Sequence, residues 1–420
     1  MTNNVFNGAG TETPLGHVTA STTPTAMPRS LVALFACASG LSVANVYYAQ
    51  PLLDALAADF AISHAAVGGV ITATQAGCAL ALVLLVPLGD RVDRRRLMLW
   101  QLVALMVALA GVGLATSTVA LLAGMLAVGL LGTAMTQGLI SYAAAAAAPT
   151  ERGRVVGAAQ GGVVIGLLLA RVLAGVIADL TGWREVYFFS AVMMLALAIL
   201  LWRVLPGQAP PPQRLTYTQL LFSMVTLLRR ERVLQIRGMI ALLMFAAFFI
   251  FWSALVLPLS AAPYELSHTL IGAFGLVGVV GALAAARAGH LADRGLGQWT
   301  SGLALTLLLA SWLPLWFTGS SLWFLVIGIV ALDLAGQAIH VTNQSMIFST
   351  QPEAHSRLVA CYMLFYSVGS GLGAIASTTA YAAAGWQGVC LLGAGMSLLA
   401  LAFWGATLRH MPTVSRAIPI

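Results

Sequence analysis

Apolar residues run along this chain in blocks of about 20, each almost free of charge and closed by a short polar or glycine-containing break. A helix rising 1.5 Å per residue needs a block of about that length to cross roughly 30 Å of hydrocarbon. The pattern predicts about twelve spans, near 30–53, 66–88, 97–115, 119–142, 155–178 and 185–203, then 236–258, 268–288, 298–317, 321–347, 357–380 and 386–407. The expected fold is an all-α membrane protein with twelve transmembrane helices in two pseudo-symmetric six-helix bundles, at 29–203 and 236–407. Residues 204–235 open on a proline cluster that cannot continue a helix and close on an amphipathic stretch suited to lying along the membrane surface. Residues 1–28, rich in Thr, Gly, Asn and Pro, are expected to form a disordered cytoplasmic tail rather than a signal peptide, and 408–420 a second cytoplasmic tail.

The two bundles are related. A step of 203 positions takes Pro149 to Pro352, Arg154 to Arg357, Gly166 to Gly369 and the pair Gly182-Trp183 to Gly385-Trp386. The same step takes Asp90-Arg91 to Asp293-Arg294, far outside that stretch. Shared Ala or Leu would mean little in so apolar a chain. Asp, Arg, Pro and Trp are scarce here, so one register for all of them marks an internal duplication.

Composition supports the membrane reading, with 60% hydrophobic and 8% charged residues against roughly 25% charged in soluble domains. In a soluble protein the net charge of +7 would raise nucleic acid as a partner. Here, if the N-terminus is cytoplasmic, every Arg except Arg171 and Arg184 falls in a cytoplasmic tail, a loop or a span end, so the basic residues set topology and no nucleic acid is expected. All 20 basic residues are Arg. The four cysteines sit singly inside apolar spans without ligand spacing, so no metal is expected. No HExxH, GxSxG or Walker pattern occurs, which argues against an enzyme, a cofactor or an ATP-driven pump.

Arg171 and Asp333 are the ionisable residues predicted to lie deep in the spans. A charge isolated there costs several kcal/mol, so each needs a partner or a water-lined cavity, and the two are candidates to pair. Asp333 is the first candidate for proton coupling, because a changing distance from Arg171 would alternately favour and disfavour its charged form. A permanent pair holding the halves in register is the competing reading. Asp333, Gln337, His340 and Gln344 are separated by four, three and four positions and share one helix face. His340 can join the proton path or simply satisfy hydrogen bonds. Thr133, Gln137 and Tyr142 form a looser stripe, Asn45 and Tyr48 share a face, and Tyr362 and Tyr366 lie one turn apart. Glycines recur at helical spacing in the fifth span and again in the eleventh, as close static packing or a moving interface would need.

Asp90 and Asp293 each end an even-numbered span and are followed by Arg91 and Arg294. A carboxylate there can accept hydrogen bonds at the N-terminus of another span, near Arg357 and Arg154, and so latch the cytoplasmic side. Topology marking with ordinary helix capping is the alternative. The loop carrying Val86, Asp90, Arg91, Asp93, Arg94 and Arg95, and its repeat with Gly289, Asp293, Arg294 and Leu296, resembles the signature loop of the major facilitator superfamily, with both glycines replaced in the first copy and the second one replaced, by Leu296, in the repeat. The resemblance covers residues 30 to 407. Within that family the chain looks like the twelve-span bacterial antiporters that exchange drugs or small solutes for protons, on phrases such as NVYYAQPLL. It departs from them at Ala170-Arg171, where they carry Gly-Pro, and in a fourth span without an arginine.

The resemblance implies a bacterial inner-membrane monomer, with both termini cytoplasmic, lipid around it, and a small organic solute and protons as its ligands. It implies that spans one, four, seven and ten line a central cavity with Asn45, Tyr48, Thr133, Gln137, Trp252, Gln337 and Gln344, bordered by Tyr362 and Tyr366. The activity expected is export by proton antiport through alternating access. Proton-coupled uptake is the alternative, and a non-transporting receptor or scaffold would not need the polar stripes.

Overall fold

The structure, a computed structural model, describes residues 27–148, 150–206, 216–348, 350 and 355–410, and every regular element among them is helical. Nine helices among the described residues are long and apolar enough to cross a membrane. They are Gly69–Gly89, Arg94–Gly113, Thr118–Ala146, Arg152–Thr181, Trp183–Val204, Arg232–Ser260, Arg294–Gly319, Leu322–Phe348 and Arg357–His410. Two shorter apolar helices, Arg29–Ala44 and His268–Gly281, occupy the expected first and eighth spans. The last helix bends at Ala384 and Gly385, between the expected eleventh and twelfth spans.

The duplication is visible in space. The first span packs on the fifth and the second on the fourth; in the second half the seventh packs on the eleventh and the eighth on the tenth. The third lies against the sixth, while Gly302 of the ninth abuts Trp404 of the twelfth. Small residues permit the closest of these approaches. A methyl group on Gly166 would collide with the Gly40 backbone, and one on Gly369 with the Leu242 backbone. Without a hydrophobic force between helices in lipid, such contact is a principal source of association within each half. The repeat extends to the corners: Gly182 and Gly385, 203 positions apart, both take positive φ, +112° and +62°, where a side chain would be strained.

Two spans are broken where continuous helix was expected. The first stops at Ala44, passes through turns, and resumes as a 3-10 turn at Gln50–Leu52 and a helix at Leu53–Asp59. Pro51 accounts for the break, since its ring fills the space of the preceding turn's carbonyl and it has no N–H to donate. The eighth divides at Gly278 into His268–Val277 and Val279–Leu291.

The amphipathic stretch is a helix, Tyr217–Arg230, begun by a reciprocal cap in which Thr216 and Gln219 exchange side-chain and backbone hydrogen bonds. It buries Leu220, Met224 and Leu227. Its Tyr217 hydroxyl donates to the Leu84 carbonyl of the second span at 2.8 Å, and the Met224 carbonyl accepts from Cys361 Sγ of the eleventh at 3.7 Å. The helix between the halves thus touches both of them.

The halves meet where the fifth span packs on the eighth and the second on the eleventh. Methyl groups on Gly175 and Gly272 would strike His268 and Arg171 of the opposing helix, so that part of the seam is tight. Along the same face of the fifth span, nothing among the described residues lies within 4 Å of where a methyl on Gly161 or Gly157 would sit. The seam between these two spans is closed at the end carrying Asp179 and His268 and parts toward the end carrying Arg154.

Candidate functional site

Midway along the seam, the break after the first span brings Gln50 against the fifth. Arg171 Nε donates to Gln50 Oε1 at 2.7 Å. Its guanidinium lies over the Trp252 ring of the second half, 4.3 Å from the centroid, and 5.5 Å from that of Tyr47. This fixes a positive charge against two aromatic faces, whose quadrupoles attract cations. Arg171 is 4% exposed, and the gap it borders with Gln50, Pro51 and Trp252 measures about 10 Å³, room for no more than one water.

Asp333 is also 4% exposed. It packs against the broken eighth span, where a methyl on Gly278 would lie 2.6 Å from its Oδ2. Gly275, one turn earlier, faces the Arg171 side chain, so the two charges flank one glycine-lined helix turn. They are not joined in an ion pair. The Trp252 indole N–H approaches the Asp333 carboxylate, but neither it nor Asp333 Oδ2 completes a hydrogen bond. The pairing expected from sequence is replaced by one in which Gln50 and the aromatic rings hold the arginine.

Beside this pair a tyrosine bridge crosses the seam. The hydroxyls of Tyr47 and Tyr366 are 2.5 Å apart, and Phe245 meets Tyr366 edge to face at 4.2 Å between centroids. His340 Nδ1 is 2.8 Å from the Tyr362 hydroxyl and its ring abuts Phe245. Asp333, Trp252, Tyr366, Tyr362 and His340 are thereby brought into one aromatic neighbourhood within the second half. Gln337 and Gln344 lie half-buried on the same helix, and Thr133 and Gln137 half-buried on the fourth.

Asn45 and Tyr48 turn away from it. Asn45 Oδ1 accepts from Ser190 of the sixth span at 2.5 Å, and Tyr48 is buried against that same span. Their shared face depended on helix continuing past Ala44; the turn there puts Tyr47 at the seam instead. Tyr47, Gln50 and Phe245 are therefore site residues that span-by-span periodicity missed.

At the closed end, Asp179 accepts hydrogen bonds from the backbone N–H groups of His268 and Thr269 at 3.0 and 2.8 Å and from the Thr269 hydroxyl at 2.6 Å. His268 Nδ1 and Nε2 lie 2.8 Å from Asp179 and 3.1 Å from Asp54. The first-half carboxylate caps a second-half helix whose exposed N–H groups favour an anion. Nearby, Thr72 donates to the Gly371 carbonyl at 2.8 Å and Thr378 to that of Ala65 at 3.1 Å. None of these seals was expected from sequence.

The arginine-rich end is arranged differently. Arg154 pairs with Glu151 at 2.8 Å, and Glu151 also accepts the Met27 N–H, both interactions holding its carboxyl below the usual range. Arg94 Nε donates to the Gly89 carbonyl, Arg91 is engaged, Arg294 is exposed, and Arg357 borders a groove of about 390 Å³ with Arg230 and Phe222. The side chains of Asp90 and Asp293, proposed partners in the latch, lie outside the described residues.

The family model described as Major Facilitator Superfamily matches residues 34–308 and 264–419. An uncharacterized transporter, YgaY, of Escherichia coli O157:H7 is 42% identical over 89% of this chain and 95% of its own. The inner membrane transport protein YnfM of Escherichia coli K12 is 24% identical over 63% of this chain and 64% of its own. Among solved structures, an inward-facing, occupied bacterial homolog of the human lysosomal transporter Spinster superposes with a TM-score of 0.73, at 15% identity, over 90% of this chain and 96% of that one. The human organic anion transporter MFSD10 does so at 0.65 and 18%, over 89% and 98%. With the duplicated bundles, the central seam and these matches together, the chain belongs to the Major Facilitator Superfamily, whose members carry small solutes by alternating access.

Proposed function

We propose that this transporter exports a small organic solute from the cytoplasm in exchange for protons, and that Asp333 carries the proton. Twelve crossings follow if the two shorter apolar helices span and the long last helix counts as two. The arginine-rich end is then cytoplasmic, as are both termini. The central aromatic cluster with Arg171 favours an amphipathic solute that stacks on Trp252, Phe245 and Tyr366 while presenting a polar group to the guanidinium. His340, engaged by Tyr362, holds that tyrosine in place.

The observation carrying this reading is a buried carboxylate, approached by the Trp252 indole N–H but with an oxygen outside any completed hydrogen bond, beside a buried arginine with which it forms no ion pair. Any permanent neutralising bond would remove its freedom to gain and lose a proton. Rocking of the halves changes its distance from Arg171, and with it the balance between the two protonation states.

The test is solute flux in vesicles under imposed pH gradients of either direction, with native and Asp333→Asn protein. Export driven by inward proton flow, lost in Asp333→Asn while counterflow exchange of solute persists, is the expected result. Undiminished proton-driven flux in the variant would overturn the assignment, and flux of solute along with protons would reverse the direction.

A further inference from the structure

A second buried arginine lies within electrostatic reach of Tyr362, at the border of the central site. Arg237 occupies the first turns of the seventh span, where sequence reads a span end, yet it is 0% exposed. Its Nη1 donates to Ser301 Oγ at 2.7 Å and to Asn343 Oδ1 at 3.3 Å. Nε and Nη2 have no partner. No carboxylate among the described residues lies within ion-pair reach of it.

The surrounding polar atoms sharpen the imbalance. Ser301 spends its own proton on the Gly297 carbonyl, and Asn343, also 0% exposed, has an Nδ2 that completes no hydrogen bond although the side chain lies beside the Tyr362 hydroxyl. Three N–H-bearing nitrogens of adjacent buried side chains thus need acceptors, and one of these side chains carries a full positive charge. A water could satisfy one donor but would leave the charge uncompensated, which a protein interior strongly disfavours. The corresponding positions of the first half, 203 residues earlier, are Leu34, Met98 and Ile140, so the fold itself does not require polarity here.

We infer that Arg237, with Asn343 and Ser301, forms a binding site for one small monovalent inorganic anion of chloride size inside the second half. Donors without acceptors select an anion; full enclosure by the seventh, ninth and tenth spans selects a small one. The inference does not depend on proton antiport or on the solute.

The experiment follows thermal unfolding and retained chloride-36 of the purified full chain as sodium gluconate is replaced by sodium chloride at constant ionic strength. A saturable rise in Tm with about one chloride retained per chain is expected from mass action on the folded form. Bromide should substitute for chloride and sulfate should not. Arg237→Gln should lower chloride affinity at least tenfold. Asn343→Asp, which places a carboxylate beside the arginine, should fold, lose the chloride response and retain no chloride-36; it tests the site even if Arg237→Gln does not fold. Equal responses to gluconate, sulfate and chloride, or unchanged chloride binding in Asn343→Asp, would overturn the inference.

Discussion

Asp179 and Thr269, 90 residues apart and in opposite halves, are joined twice through one carboxylate oxygen, which accepts the Thr269 backbone N–H at 2.8 Å and its hydroxyl at 2.6 Å. Because Asp179 also accepts from His268, the start of the eighth span is tied to the end of the fifth at a single side chain. Hydrogen bonds to a charged group contribute about 1.5–3 kcal/mol each. Solvent at this exposed carboxylate reduces that figure, and their joint loss is expected to shift the balance between the open and closed forms of this end.

Replacing Asp179 with Asn keeps the shape and removes the charge. The population open at that end should rise at least about tenfold, each 1.4 kcal/mol being one factor of ten. Spin labels on His64 and Ala382, one in each half beside the Ala65–Thr378 contact, should report a longer distance distribution; an unchanged one would remove Asp179 from the gate.

Tyr366→Phe deletes one partner of the 2.5 Å tyrosine bridge. A neutral hydrogen bond contributes about 0.5–1.5 kcal/mol, so the same labels should shift in the same direction but less than in Asp179→Asn. A larger shift would make the tyrosines, rather than the carboxylate, the dominant tie.

Gly166→Ala should lower the yield of folded protein and its Tm, since the added methyl meets the Gly40 backbone, which has no rotamer with which to yield. Overpacking of this kind costs about 1–3 kcal/mol. Gly157→Ala, on the open part of the same helix, should leave Tm unchanged and instead slow transport if that face closes during the cycle. Equal Tm values for the two variants would contradict the tight first–fifth contact.

Since Gln50 and two rings hold Arg171, neutralising Asp333 should not leave the arginine stranded. Asp333→Asn is expected to keep nearly native Tm, whereas Arg171→Leu should lose more stability by emptying the contacts to Gln50 and Trp252. The double variant should then show little coupling energy. A double variant more stable than either single one by several kcal/mol would indicate a true ion pair.

Spans and duplication were legible because hydrocarbon thickness imposes length and because the repeat preserves corner residues such as Gly182 and Gly385. Asp333 and Arg171 were legible as isolated charges, but their relation was not: it depends on Gln50, which Pro51 displaces from helical phase, and periodicity assigned Tyr48 the place that Tyr47 holds. The burial of Arg237 is not legible in the sequence, because a basic residue near a span end looks like a topology marker, and only packing against Ser301 and Asn343 reveals it. Asp179 is hidden for a related reason. Its partners belong to the other half, and acidic residues carry little information about orientation.

The helix Tyr217–Arg230 reaches the second span through Tyr217 and the eleventh through Met224. Parting of the second and eleventh spans at that end must therefore either break these two contacts or carry the connecting helix with it.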